Sequence, residues 1–129
     1  MGSERTITRD ESARAFVRLS TFKQLIVYAV AQNGGTPDAK PEMCPYGLAV
    51  KDQLEAWLDE DVNHGRLYPN IDELVDYGYV EKHELDKRTN GLRLTEAGVD
   101  AIVEYKRDVE AAALDALAHA DRAIDGGSA

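Results

Sequence analysis

Hydrophobic residues recur at helical spacing through most of the chain. Phe22, Leu25, Ile26, Ala29 and Val30 line one apolar face and predict a helix over 22–32, which Asn33-Gly34-Gly35 then stops. Val50, Leu54, Trp57 and Leu58 predict a second, with Pro45 as its first residue, where a missing N–H costs nothing. It closes on Asp59-Glu60-Asp61, whose charge opposes the helix dipole and predicts a frayed end. Leu67, Ile71, Leu74 and Val75 predict a third, capped by Asn63 and ended by Gly78. Pro69 lies inside it, so a tight or irregular first turn is expected. A shorter helix from Arg9 to Arg18 precedes these three. Thr8-Arg-Asp-Glu11 and Thr21-Phe-Lys-Gln24 match the capping box and set the first two starts.

The period changes at Tyr79. Tyr79 to Leu85 reads as a strand, and Leu92 and Leu94 alternate with Arg93 in a return strand. Between them lies the polar tip Asp86 to Gly91, with Asn90-Gly91 as the hairpin signal. From Thr95 onward no breaker follows Gly98 until Gly126. A helix of ~25 to 30 residues would run roughly 40 Å, beyond a compact domain of this size. Its apolar stripe, Val99, Ile102, Val103, Val109, Leu114 and Leu117, needs a second chain to cover it. The loop from Gly34 to Pro45 holds three of the four prolines and is long for a helix–helix connection, an insertion either ordered or mobile.

Three short helices, a hairpin with a basic tip and a long helix predict an α+β, mostly helical fold. The layout is that of a winged helix-turn-helix with a long C-terminal dimerisation helix; a plain helical bundle with an incidental hairpin is the alternative. The expected division is an N-terminal arm and short helix over 1–20, the winged helix-turn-helix over 21–95, and the C-terminal helix with a flexible tail over 96–129.

Length and composition narrow the function. At 129 residues, 43% of them hydrophobic, the chain can build one modest core. Its longest apolar stretch, Leu25 to Ala31, falls far short of a membrane span, and no apolar segment follows Arg5, Arg9, Arg14 and Arg18 as a secretory leader would require. A cytoplasmic protein is expected. One cysteine and three scattered histidines leave no disulfide and no metal-ligand spacing. No nucleophile–base spacing, phosphate loop or paired carboxylate points to catalysis, so neither an enzyme nor a cofactor is expected. Cys44, without a second cysteine or a cationic neighbourhood, makes a weak redox sensor.

The net charge of −9 weighs at first against nucleic acid. Its make-up matters more: 13 Asp against 11 Glu, and only 6 Lys among 15 basic residues, resemble proteins of salt-loving organisms. Its distribution matters too. Residues 1–23 carry +2, residues 62–71 carry +1 and residues 81–93 carry +1, whereas 38–61 and 94–129 carry −5 each.

Four segments together resemble the PadR-like transcriptional regulators: Tyr46-Gly-Leu-Ala-Val-Lys-Asp-Gln-Leu54, Gly65-Arg-Leu-Tyr-Pro-Asn-Ile-Asp-Glu-Leu74, Tyr77-Gly-Tyr-Val80 and Leu92-Arg-Leu-Thr-Glu-Ala-Gly98. The resemblance covers about residues 20 to 105; the long Gly34 to Pro45 loop and Ile71, where the family usually has Leu, depart from it. With the acidic composition, it is to haloarchaeal members of the RosR type. It implies a homodimer, joined chiefly through the C-terminal helix, on a pseudo-palindromic operator. It also implies control of stress genes, reactive oxygen among the stresses.

With Leu67, Ile71, Leu74 and Val75 turned inward, Asn63, His64, Arg66 and Asn70 are left to face out. These are types that read base edges, Arg pairing with guanine and Asn with adenine. Arg66, the sole cation there, is the expected source of specificity; Asn63 is a cap or a phosphate contact, and Tyr68 packs or touches DNA. On the wing, Lys82, Lys87, Arg88, Thr89 and Asn90 are expected to meet DNA, with Arg88 suited to a narrow minor groove. Lys51, Lys23 and Arg14 are weaker phosphate candidates. Phe16 and Val17 are assigned with the long helix's stripe to a dimer interface. The N-terminal arginines either track phosphates or pair with acids of a partner chain. Glu84 and Asp86 beside the wing predict bound cations, K+ foremost, at the DNA. Two further readings stay open: a protein-interaction module, and a regulator gated by a ligand between the long helix and the first.

Overall fold

The chain runs through α1 (Arg9–Val17), α2 (Thr21–Gln32), α3 (Gly47–Leu58), α4 (His64–Asp76), the hairpin β1 (Val80–Glu84) and β2 (Asn90–Leu94), and α5 (Glu96–Gly127). The computed structural model describes residues 9–84 and 89–127. One core joins these elements. It takes Phe22, Ile26, Val27 and Val30 from α2, Val50 and Leu54 from α3, Leu67, Ile71 and Leu74 from α4, Val80, Leu92 and Leu94 from the hairpin, and Ala101 from α5. Trp57, expected on the inner stripe of α3, stands at its exposed edge.

Phe16 corrects an expectation. Assigned to a dimer interface, it is fully enclosed in the chain's own core, its ring centroid 5.8 Å from Tyr79, 5.8 Å from Tyr105 and 6.1 Å from Tyr28. Offset and edge contacts of this kind hold α1 against α5 and the end of α4.

The cap of α2 is one residue earlier than its capping box suggests. Ser20 Oγ accepts the Lys23 N–H at 3.2 Å, while the Gln24 amide reaches back to the Phe16 carbonyl at 3.0 Å. Thr8, the other capping candidate, lies outside the described residues.

The Gly34 to Pro45 insertion is ordered, and β2 orders it. The Leu94 N–H donates to the Gly35 carbonyl and the Leu92 N–H to the Pro45 carbonyl, both at 2.8 Å. Arg93 Nη1 adds a bond to the Ala39 carbonyl at 3.1 Å. Cys44 is buried beneath a 3₁₀ turn over Pro41–Met43. Because its carbonyl serves β2, Pro45 stays outside the helix, and α3 begins at Gly47 with Tyr46 as N-cap.

The same contacts overturn the turn assigned to Asn90-Gly91. The strands pair from Val80↔Leu94 to Glu84↔Asn90, so Asn90 and Gly91 lie inside β2 and the connection falls at 85–89. Tyr46 bridges Gly91 from the other side, which fixes the register non-locally.

The acidic end of α3 does not fray. Asp59 turns the chain in the left-handed region at φ 53°, and Glu55 Oε2 accepts the Val62 N–H at 2.8 Å to close the turn into α4. Asn63 caps α4 as predicted, its Oδ1 accepting the Arg66 N–H at 2.8 Å. Both Arg66 and Leu67 donate to the Asn63 carbonyl, at 3.2 and 3.0 Å, so the first turn is tight, and the helix continues through Pro69. It ends in a Schellman motif, with Gly78 (φ +87°) bonded to Val75 and Tyr79 to Leu74.

Thr95 starts α5: its Oγ1 accepts the Gly98 N–H at 3.0 Å and donates to the Gly78 carbonyl at 2.5 Å. At 32 residues the helix extends about 48 Å. Val99, Ile102 and Tyr105 pack on the core, and from Lys106 to Arg122 every residue is exposed. No helix among the described residues is long and apolar enough to cross a membrane. The fold is a mostly helical α+β winged helix-turn-helix with a long C-terminal helix.

Candidate nucleic-acid interface

Packing of Leu67, Ile71 and Leu74 into the core turns the opposite side of α4 to solvent. Asn63, His64, Arg66 and Tyr68 are exposed there and Asn70 is half-buried. The structure brings the five together over the first two turns of the helix, and each has a defined neighbour. Asn63 is spent as the cap. His64 and Tyr68 stack in parallel, ring centroids 5.4 Å apart and planes 4° apart. Asn70 Nδ2 donates to the Arg66 carbonyl at 2.7 Å. The Arg66 guanidinium lies 3.9 Å from the centroid of the Phe22 ring, with Nη1 3.1 Å from Glu60 Oε1. Arg66 thus ties the start of α4 to α2 while remaining nearly half exposed.

Beside this face lies a cleft of about 380 Å³. The start of α3 forms one wall with Tyr46, Gly47 and Leu48, and Tyr68 of α4 forms the floor. The hairpin closes the other side with Lys82, Thr89, Asn90 and Leu92. Three of the wing residues singled out in the sequence, Lys82, Thr89 and Asn90, therefore share one cleft with Tyr68 of α4. Lys87 and Arg88 lie outside the described residues.

Among the described residues, the candidate lysines Lys82, Lys23 and Lys51 are each paired. Lys82 Nζ is 2.6 Å from Asp72 Oδ1, Lys23 Nζ is 2.6 Å from Glu73 Oε2, and Lys51 Nζ is 3.2 Å from Glu55 Oε2. Asp72 and Glu73 both belong to α4, so the later turns of that helix carry acid. The Val62 N–H, and then Lys51, hold the Glu55 carboxyl below the usual range. At the base of the wing, Arg93 donates to Glu81 at 3.0 Å and holds that carboxyl down as well, with His83 Nε2 3.3 Å away. Arg14 is exposed on α1.

Of the residues assigned to a dimer, Val99 and Ile102 are half-buried against the core. Val17, Val103, Val109, Leu114 and Leu117 are exposed, the last two at 61% and 63%. Tyr28, Ile102, Tyr105, Val109 and Ala113 line an open apolar groove of about 300 Å³ along α5.

Sequence reasoning missed the Tyr46-Gly47-Leu48 wall and the carboxylates opposite the lysines. The Tyr-Gly pair was the available signal for the first. The second had no local signal, because Asp72 and Lys82 are ten residues apart on different elements.

A model of the PadR-like family of transcriptional regulators matches residues 42–104, from the end of the insertion into α5. Among solved structures, H. salinarum RosR grown from NaBr is 38% identical, covers 78% of this chain and 96% of that chain, and has a TM-score of 0.59. The complex structure of hsRosR-S4 is 40% identical, covers 82% and 96% and has a TM-score of 0.60. That of hsRosR-S1 is 38% identical, covers 83% and 96% and has a TM-score of 0.60. No curated protein matches the chain.

Proposed function

The chain belongs to the PadR-like family of DNA-binding transcriptional regulators, and we propose that it works as a homodimer on a pseudo-palindromic operator, with α4 in the major groove of each half-site and the wing on the adjoining backbone and minor groove. The observation that carries this reading is the continuity of α4's exposed polar and aromatic face with the cleft under the wing. His64, Arg66, Tyr68 and Asn70 supply the base-edge and stacking types. Lys82, Thr89 and Asn90 supply the backbone contacts, and Arg88 probes the minor groove.

A second copy is the proposed occupant of the groove along α5. Val109, Leu114 and Leu117 meet no covering surface among the described residues, and burying one such side chain contributes about 1.5 to 3 kcal/mol. The likeness to RosR supports a stress-responsive role, reactive oxygen included, in the cytoplasm of a salt-loving organism. A surface of net charge −9 supports bound K+ at the DNA, so affinity is expected to fall little, or to rise, from low to molar KCl. A steep fall would contradict the halophilic part of the reading.

The test is binding of promoter fragments by wild type, Arg66→Ala and Arg88→Ala across that salt range. Weaker binding by both variants is expected. Equal, weak binding by all three at every salt concentration would instead favour a protein-interaction module on the same fold.

A further inference from the structure

Lys82 stands in the cleft between α4 and the wing, where the proposed function places a backbone phosphate. Its ammonium is already occupied: Asp72 Oδ1, on an outward turn of the recognition helix, is 2.6 Å away. Asp72 is itself more than half exposed, and among the described residues Lys82 is the one side chain bonded to its carboxylate. A phosphate entering the cleft and this carboxylate therefore compete for one cation.

We propose that Asp72 is the tethered counter-ion of Lys82, and that DNA binding proceeds by exchange, a backbone phosphate taking the ammonium from Asp72 and the freed carboxylate taking up a cation from solution. The inference rests on the DNA-binding reading and deepens it. A lysine that neutralises a phosphate releases about one condensed cation from the duplex, which contributes close to −0.9 to the slope of log K against log salt. If Asp72 simultaneously takes up a cation, that release is cancelled. Lys82 then gives affinity without salt sensitivity. One carboxylate on α4 thus converts an ordinary phosphate contact into one suited to concentrated salt.

The test is a double-mutant cycle of Asp72→Asn and Lys82→Ala, with affinity for a duplex promoter fragment measured by fluorescence anisotropy from 0.1 M to 1 M KCl. Both residues are surface groups, and a thermal melt of each variant checks folding. Asp72→Asn is expected to steepen the salt slope by about 1, so that it binds about tenfold tighter than wild type at 0.1 M KCl and equally at 1 M. In the Lys82→Ala background the same substitution is expected to change neither the slope nor the affinity. Asp72→Asn tracking wild type at every salt concentration overturns the exchange and leaves the DNA reading intact. So does a gain that persists without Lys82, which is general relief of repulsion. If no variant binds any fragment at any salt concentration, the DNA reading fails and the exchange with it.

Discussion

The phenol oxygen of Tyr68 stands 2.5 Å from the point where a β-carbon on residue 47 would sit. Gly47 and Tyr68 are twenty-one positions apart on two helices, yet they are one fitted pair, and the missing β-carbon of the glycine leaves room for the phenol at the cleft. Gly47→Ala is expected to push the ring outward, because the phenol is the movable end of a flexible side chain. The loss of stability is then small, about 1 kcal/mol, while DNA affinity falls several-fold. Combining it with Tyr68→Ala is expected to give no further loss. Melting curves and binding isotherms of the two single variants and the double variant check this, and an alanine variant that binds like wild type contradicts it.

Gly78 has positive φ and open space around its α-carbon. Gly78→Ala therefore reports backbone strain alone, an expected loss of about 1 to 2 kcal/mol. Gly98→Ala is expected to cost more, because the Tyr79 carbonyl occupies the place of its β-carbon and is held there by the Thr95 N–H. Chemical denaturation of both variants ranks them; the reverse order would contradict the packing at the start of α5.

Glu55 closes the turn between α3 and α4 by accepting the Val62 N–H, and its carboxyl is held below the ordinary value. A carboxylate with a lowered folded-state pKa stabilises the fold above its unfolded pKa and loses that contribution as pH falls through the folded value. Wild type is thus expected to melt above Glu55→Gln at pH 7, with the gap closing below roughly pH 4. A gap independent of pH would contradict the role of the charge.

The apolar end of α5 carries the dimer prediction. Leu114 and Leu117 project from a helix that has left its own core behind, and replacing both by Asp is expected to yield a folded monomer with much weaker operator binding. Sedimentation velocity measures this directly. An unchanged mass would place the interface elsewhere.

Helix positions were legible because Leu67, Ile71 and Leu74, or Ile26 and Val30, repeat at the helical period and do end up buried. The Leu-Thr-x-x-Gly segment was legible as a motif, and its reason is physical: Thr95 caps α5 and bonds to Gly78, while Gly98 makes room for Tyr79. What failed depended on distant partners. Asn90-Gly91 looks like a turn until Tyr46 bridges it, and Pro45 looks like a helix start until Leu92 takes its carbonyl. Phe16 looks like an interface residue on a weakly apolar helix, but three tyrosines from α2, α5 and the end of α4 enclose it. In the site, residue types on α4 were readable from the pattern of inward residues. The carboxylates that hold its cations were not, since ion pairs across elements leave no periodic trace.

Selection of bound sequences from a random duplex pool, at a KCl concentration of about 1 M, tests the central claim most directly. Two copies of α4 reading successive major grooves predict enrichment of an inverted repeat, its half-sites centred about one or two helical turns apart, roughly 10 or 20 base pairs. They also predict that Arg66→Ala relaxes the preference at one position of each half-site. A pool that emerges without any inverted repeat, or with the same repeat for the variant, would contradict the placement of α4 in the groove.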